Sequence, residues 1–262
     1  MIEYFFILVI GLIFGSFLNV LIYRIPLEIS LLSPARSSCP KCQSPIKWYE
    51  NIPIISYIFL NQKCSNCSKP ISAMYPFIEL LTGILTVLLY IKYMFNLELI
   101  VIVLLFYNLI VLSIIDLRFK SVPDYLLILA ILLALIIGDL KNALIFMGIF
   151  SLLELILTFY IQKIKSRITN NKRLESQSSL GNGDIPIAGV IGGLLGFQLG
   201  VSAIFLAALF ALFPALYNLI SKDEIETPFI PYLSLGLFIT LITSFNIFDV
   251  HFFINNLNRF LI

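Results

Sequence analysis

Charged residues are scarce in this chain: they make up 12% of its 262 residues, whereas 60% are hydrophobic and the mean hydropathy is +1.00. Ordinary soluble domains are only about half apolar, so this composition argues against a soluble enzyme. An excess of one charge is also lacking, because 17 basic and 15 acidic residues leave a net charge of +2. Without a large one-sided electrostatic field, we expect no nucleic-acid partner.

Three further absences narrow the class of protein. The chain has one histidine, His251 in the C-terminal tail, so no Ser/His or Cys/His nucleophile arrangement can be built across a membrane. The first apolar run lacks a basic n-region and a small-residue cleavage site, which favours a retained helix over a secretory signal peptide. We find no internal repeat in the sequence.

Long apolar runs are what the chain has in abundance, and such runs are typical of membrane helices. They predict an all-α, polytopic membrane protein with about eight transmembrane helices, at about 4–22, 76–93, 97–117, 125–137, 143–161, 185–197, 200–220 and 229–245. The fourth and sixth runs would be only about 20 Å long, against a hydrocarbon core of about 30 Å. We expect these two to start or stop inside the membrane or at a wet cavity.

The placement of basic residues predicts the orientation. The alternate connections 24–75, 118–124, 162–184 and 221–228 contain 14 of the 17 Lys and Arg residues. By the positive-inside rule these connections face the cytosol and the N-terminus lies outside.

All four cysteines lie in the first of these connections, as two Cys-x-x-Cys pairs with 21 residues between them: Cys39, Cys42, Cys64 and Cys67. This spacing is close to the two-knuckle zinc pattern, in which four thiolates bind one structural ion. Two disulfides or four free thiols are the alternatives, and a reducing cytosol disfavours the disulfides. The zinc would close a knob of about 50 residues, which is too small for a good core of its own. We expect the apolar residues between the pairs to pack against the membrane face or a partner; they are Trp48, Tyr49, Ile52, Ile54, Ile55 and Tyr57.

Carboxylates within or beside apolar runs are candidates for function, because an ionisable group in a membrane is costly. Five qualify: Glu79, Asp116, Asp124, Glu154 and Asp184. Asp124 follows Pro123 and is predicted to cap the next helix; a cap is also the alternative for Asp184. Gly181 and Gly183, just before Asp184, allow a sharp turn and a close approach of other helices. For Glu79 and Glu154 we expect a basic partner or a polar seam.

Topology brings two of these carboxylates to the same depth. Asp116 ends a helix that runs toward the cytosol, and Asp184 begins one that leaves it. Two neighbouring carboxyls can perform aspartic-protease chemistry, because like charge keeps one of them protonated. The helix dipole favours the ionised form at a helix N-terminus, so the sequence predicts Asp184 as the base and Asp116 as the initial acid.

Several motifs together resemble the bacterial type IV prepilin peptidases, and the resemblance covers nearly the whole chain. In the first half they are GLIFGSFLNVLIYRIP at 11–26, the cysteine pairs with WYENIP at 48–53 between them, Tyr75-Pro76, and ELLTG at 79–83. In the second half Asp116 stands eight residues before Asp124, which follows Pro123, and Gly-Asn-Gly-Asp ends at Asp184. This chain departs from the family pattern at Pro186, where Lys is usual, and at Met74, where Arg is frequent.

The resemblance implies an intramembrane aspartic peptidase of the Gly-x-Gly-Asp type in the bacterial inner membrane. Its segments would be a first transmembrane helix (1–23), a cytosolic zinc-binding loop (24–75) and a transmembrane peptidase domain (76–262). Members cut the leader from type IV prepilins and type II secretion pseudopilins, and many then methylate the new N-terminus with S-adenosylmethionine. The family pattern places the catalytic pair at Asp116 and Asp184.

Two other functions remain open at this stage. An ion-coupled transporter would also have short helices with carboxylates at the membrane, but it gives the cysteine knob no role. A non-catalytic protein of secretion assembly would use the knob to bind partners.

Overall fold

The computed structural model of the protein describes residues 2–31, 37–165, 167, 181–221 and 227–249. These residues form helices and connections, and their only strand-like pairings are the isolated bridges Ser38–Pro45 and Lys63–Pro70. The all-α class is therefore confirmed. His251 lies outside the described residues.

By its internal contacts the chain divides into two compact units, Met1–Val103 and Leu104–Ile262. The first unit contains a 3-10 turn at Trp48–Asn51 and the helices α1 (Ile2–Arg24), α2 (Ile55–Phe59) and α3 (Met74–Tyr93). Helix α4 (Leu97–Phe119) begins in the first unit and lies mostly in the second. The second unit also contains α5 (Asp124–Ile137), α6 (Leu140–Phe159, continued by a π-helical turn at Tyr160–Lys165), α7 (Asp184–Ser221) and α8 (Ile230–Thr243).

Five helices of the described chain are long and apolar enough to cross a membrane: α1, α3, α4, α6 with its π-helical turn, and α7. Helices α5 and α8 are apolar but have 14 residues each. Long apolar helices with few charges are the mark of a membrane protein.

Helix α7 contains two apolar runs, 185–197 and 200–220, that the sequence predicts as separate helices. Its backbone leaves the helical region at Gly196, where φ is 71° and ψ is −172°. This conformation is open essentially to glycine alone. The bend divides α7 into residues 184–195 and 197–221, so the interruption lies slightly earlier than the gap between residues 197 and 200 in the hydropathy pattern.

Small residues hold α1 and α3 together in the first unit. A Cβ on Gly11 would lie 2.8 Å from the Cα of Gly83, and a Cβ on Gly15 would lie 2.7 Å from the Cα of Glu79. Glycines four residues apart are the common device for close packing of membrane helices. As the contacts advance along α1 they retreat along α3, so the helices are antiparallel, and the C-terminal end of α1 meets the N-terminal end of α3.

Helix α4 is buried on all sides along its middle part. Residues 105–116 are all buried, and exposure begins at Leu117. A helix that is apolar all round is expected in such a position. Its few polar side chains reach neighbouring helices: the Asn108 amide donates to the Leu126 carbonyl at 2.8 Å, and the Ser113 and Ser234 hydroxyls lie 3.3 Å apart.

Candidate active site and metal centre

Asp116 is the last buried residue of α4, and its side chain meets the beginning of α8. Its Oδ2 accepts the backbone N–H of Ile230, the first residue of α8, at 3.3 Å. The first N–H groups of a helix have no partner within the helix and carry partial positive charge. Asp116 therefore ends one helix but lies at the positive end of another. The sequence does not reveal this second contact.

Asp184 is buried at the first position of α7. Its Oδ2 accepts the N–H of Gly181 at 3.1 Å, and its own N–H donates to the Gly181 carbonyl at 3.0 Å. A capping side chain would instead accept an N–H two or three residues further along the helix. The carboxylate thus closes the turn that precedes α7, which does not support the alternative of a helix cap.

Gly183 lets α7 approach the beginning of α8. A Cβ at this position would lie 2.8 Å from Cγ2 of Val122 and 2.9 Å from Cδ1 of Ile230. The φ of Gly183 is not in the left-handed region, so close packing is the requirement here. Ile230 contacts Asp116 through its N–H and Gly183 through its side chain. It therefore joins the two aspartate segments.

Asp124 does not belong to this arrangement. It is exposed and is the first residue of α5, while the N-cap position is occupied by Pro123 in an extended conformation. No hydrogen bond from a capping side chain is present at this helix start. The prediction that Asp124 caps α5 is wrong by one position, because Pro123 fixes the backbone before the helix.

The remaining two carboxylates differ from each other. Glu79 is buried in α3, and its Oε2 accepts the Ile54 N–H at 2.8 Å. The Ser16 hydroxyl is a second hydrogen-bond partner, so Glu79 faces the predicted polar seam. Glu154 of α6 is partly exposed.

The four cysteines converge in the first unit. Their sulfur atoms all lie within 4.8 Å of one another, with 4.0 Å between Cys39 and Cys67 and 4.0 Å between Cys42 and Cys64. Tetrahedral zinc with bonds of about 2.3 Å places sulfurs about 3.8 Å apart. No disulfide joins these four cysteines, so the alternative of disulfides is not supported. The cluster could hold a metal ion.

The two cysteine pairs are held by equivalent turns. The backbone N–H of Cys39 donates to the Ser44 carbonyl, and the Cys39 carbonyl accepts the N–H of Gln43. The backbone of Cys64 makes the same two hydrogen bonds with residues 69 and 68. Both turns continue into one of the isolated bridges. The underlying signal is a Cys-x-x-Cys-x-x-Pro-Ile repeat at 39–46 and 64–71. The expectation of no internal repeat is therefore wrong at this short length.

The environment of Cys42 favours the thiolate that a metal requires. Its sulfur lies 2.9 Å from the Ser44 hydroxyl. Hydrogen bonds from the side chain and backbone of Ser44 lower the pKa of Cys42 to about 6. At neutral pH this cysteine is therefore ready to bind a cation.

A cavity of about 470 Å³ lies between the cysteine loop and the ends of α1 and α3. Three buried polar residues reach its wall: Asn19, Arg24 and Glu79. The Asn19 amide donates to the Tyr75 carbonyl at 3.1 Å, and Arg24 donates to the carbonyls of Ser30 and Leu31. A buried cation and a buried carboxylate on one wall suit a ligand that carries both charges.

Comparisons with known proteins agree with this division of the chain. Residues 9–93 match the family described as the bacterial peptidase A24 N-terminal domain, and residues 102–216 match the type IV leader peptidase family. No solved structure matches the chain.

Three relatives are each named prepilin leader peptidase/N-methyltransferase. The one from Neisseria gonorrhoeae is 32% identical over 82% of this chain and 82% of its own length. The one from Bacillus subtilis is 32% identical over 87% of this chain and 89% of its own length. The one from Myxococcus xanthus is 52% identical over a shorter stretch, 30% of this chain and 24% of its own.

Proposed function

Because the chain belongs to the type IV leader peptidase family, we propose that it is an aspartic endopeptidase that removes the leader peptide of type IV prepilins and type II secretion pseudopilins. One observation carries the assignment of its active site. Asp116 and the Gly183-Asp184 segment meet the same residue, Ile230 at the beginning of α8.

In this proposal the two aspartates share the catalytic work. Two carboxylates at short range share one proton. The ionised one removes a proton from the attacking water, and the protonated one donates to the scissile carbonyl and then to the leaving amide nitrogen.

Backbone contacts orient both groups for this chemistry. The hydrogen bonds described above occupy Oδ2 of each aspartate, so within the described residues Oδ1 of each is available for water and proton. Both carboxylates lie beside the beginning of a helix. The helix dipoles therefore favour the ionised form of both carboxyls, and we assign the proton to the pair.

The supporting residues have distinct roles in this assignment. Gly181 supplies the N–H that orients Asp184, and Gly183 supplies the space that the beginning of α8 occupies. Asp124 is exposed at the beginning of α5, and its only role in this proposal is to place a negative charge in the first turn of that helix.

We further propose eight crossings of the bacterial inner membrane, with the N-terminus outside. The charge bias of the connections supports this, as does the bend at Gly196, which lets α7 supply two crossings. Prepilin leaders are basic and would remain in the cytosol. The cut would then fall at the cytosolic boundary, the depth of both aspartates.

Zinc is the metal we propose for Cys39, Cys42, Cys64 and Cys67, because four thiolates at tetrahedral spacing suit it. Its role would be to close the knob. We propose that S-adenosylmethionine, the methyl donor for the new N-terminal amine, occupies the cavity of the first unit. Arg24 would bind its carboxylate, and Glu79 would face its cationic groups.

Detergent-solubilised protein tests the proposal. Incubated with a prepilin peptide, it should release the leader, and mass spectrometry should find the mature product with an added methyl group when the donor is present. A transporter or an assembly protein would leave the peptide intact, and that result would overturn the proposal.

A further inference from the structure

The cysteine knob has an exposed apolar surface that neither its cysteine cluster nor its cavity explains. Four large side chains form it, with exposed fractions of 82% for Trp48, 51% for Ile55, 65% for Ile58 and 82% for Phe59. We call these four residues the aromatic patch. A small domain with little core of its own loses stability by leaving such side chains in water.

The patch is one face of an amphipathic element. Ile55, Ile58 and Phe59 are spaced three and four residues apart and share one side of α2. Ser56 and Tyr57, on the other side, line the cavity. The 3-10 turn that carries Trp48 contacts α2, which extends the apolar face. The fold of the knob therefore places these exposed apolar side chains on one continuous face.

The knob is anchored to a membrane at both of its ends. It leaves the end of α1 at Arg24 and enters α3 at Met74, and both helices are long and apolar enough to span. Because they are antiparallel, these two ends lie on the same side of the bilayer. The connection between them is thus held near the headgroups.

Charge also favours a lipid surface. Residues 37–73 contain four lysines and one acidic residue, Glu50, whose carboxylate already accepts the Lys47 N–H at 3.0 Å. Lys47 directly precedes Trp48. Basic residues beside exposed aromatic and aliphatic side chains are the usual composition of an element that lies in the interface of an anionic membrane.

We propose that the aromatic patch inserts into the boundary between headgroups and acyl chains of the leaflet in which α1 ends and α3 begins. Tryptophan prefers this depth, where its ring is in apolar surroundings and its N–H remains near water. The contact would hold the knob, and the cavity behind α2, at a constant height above the bilayer. This inference does not depend on the assignment of the catalytic aspartates.

Trp48 is the only tryptophan of the chain, so the natural protein carries its own probe. The full-length protein is reconstituted in vesicles of phosphatidylcholine and phosphatidylglycerol that contain lipids brominated near the headgroup, at mid-chain or near the chain end. Lipids brominated near the headgroup should remove most of the Trp48 emission, and those brominated near the chain end should remove least. Acrylamide in the water should quench weakly.

A matched pair of variants separates the patch from the rest of the knob. Ile58→Glu places a charge in the patch and should reduce quenching by lipid and increase quenching by acrylamide. Asn61→Asp makes the same change of charge at an exposed position outside the patch and outside the cysteine turns, and it should leave both unchanged. If Ile58→Glu does not fold, the quenching of Trp48 in the natural protein by lipids brominated at the three depths still tests the proposal.

Two results would overturn the proposal. Strong acrylamide quenching without lipid quenching would place Trp48 in water. Weak quenching by both would place Trp48 under protein, which would make another part of the chain the occupant of the patch.

Discussion

At the scale of single residues, the candidate site contains two carboxylates that each accept a backbone N–H. Asp116 binds Ile230 and Asp184 binds Gly181, whereas Asp124 is exposed and lacks a side-chain cap interaction. A buried carboxylate with one oriented oxygen can exchange protons with a substrate through the other. An exposed carboxylate at a helix start has no such constraint.

We expect Asp116→Asn and Asp184→Asn each to abolish prepilin cleavage, because loss of a general acid or base costs about 10²- to 10⁴-fold in rate. Asp124→Asn is the control and should only weaken cleavage. Rates of peptide cleavage measure the difference, with elution volume and metal content as checks of folding. Equal loss in all three folded variants would mean that Asp124 takes part in the reaction.

Gly183→Ala should reduce the cleavage rate more than the amount of folded protein. The added methyl group would lie 2.8 Å from Val122 and 2.9 Å from Ile230, and moving Ile230 shifts the N–H that Asp116 binds. Gly148→Ala is the control, since nothing lies within 4 Å of its added Cβ. Ile230→Val removes the closer methyl on α8 and should partly restore the rate of Gly183→Ala. Normal activity of the single variant would show that this approach is not critical.

At the scale of elements, the bend in α7 and the two cysteine turns shape the second and first units respectively. Each depends on a local backbone conformation that its sequence permits. In α7 that conformation is at Gly196, and in the turns it includes a positive φ at Gln43 and Ser68. The bend and the two turns therefore each include a residue with a positive φ.

Gly196→Ala should destabilise the protein by about 1–3 kcal/mol, because its φ and ψ lie where residues with a side chain are strained. The thermal unfolding midpoint in detergent measures the loss. Gly148→Ala again serves as the control, since alanine inside a regular helix is stabilising or neutral. An unchanged midpoint for Gly196→Ala would indicate that α7 tolerates a straight course.

Metal analysis should find one zinc ion per chain in protein purified under reducing conditions, because the sulfurs are at the spacing of one tetrahedral site. Cys67→Ser should lose the metal and increase proteolysis of the knob. Lys41→Ala, between the first two cysteines and not a ligand, should retain it. Protein without metal, or with a disulfide between the pairs under native redox conditions, would contradict the assignment.

At the scale of the whole molecule, the two units carry different candidate sites. The cysteine cluster and the charged cavity lie within residues 1–103, and the aspartate pair lies within residues 104–262. The two matched families divide the chain at nearly the same place. Under the proposed function, methyl transfer and peptide cleavage should therefore be separable by substitution.

Glu79→Gln should weaken binding of S-adenosylmethionine by about tenfold or more, because a hydrogen bond to a charged group contributes about 1.5–3 kcal/mol. Cleavage should be retained, since the amide oxygen can still accept the Ile54 N–H. Isothermal titration measures the binding, and the mass of the product measures methylation. Asp116→Asn is the reciprocal control and should bind the donor without cleaving. Undiminished donor binding by Glu79→Gln would place the donor elsewhere.

Features that depend on local pattern could be predicted from the amino-acid sequence. Predicted runs at 4–22, 76–93 and 97–117 correspond to Ile2–Arg24, Met74–Tyr93 and Leu97–Phe119, because continuous apolar residues specify a membrane helix wherever it packs. Cysteine spacing predicted the cluster of four sulfurs, because two short turns can present all four. The sequence also predicted that Asp184 begins a helix, and therefore that it lies at the positive end of the dipole of α7.

Which side chains meet could not be predicted in this way, because it depends on how the helices pack. The contact between Asp116 and Ile230 joins residues 114 positions apart, and no periodicity in either segment signals it. It placed the beginning of a second helix beside Asp116 and removed the asymmetry on which the assignment of base and acid rested. Arg24 and Glu79 similarly reach one cavity because small residues let α1 and α3 pack closely. Local pattern specifies an element, but the partner of a buried charge is chosen by packing between elements.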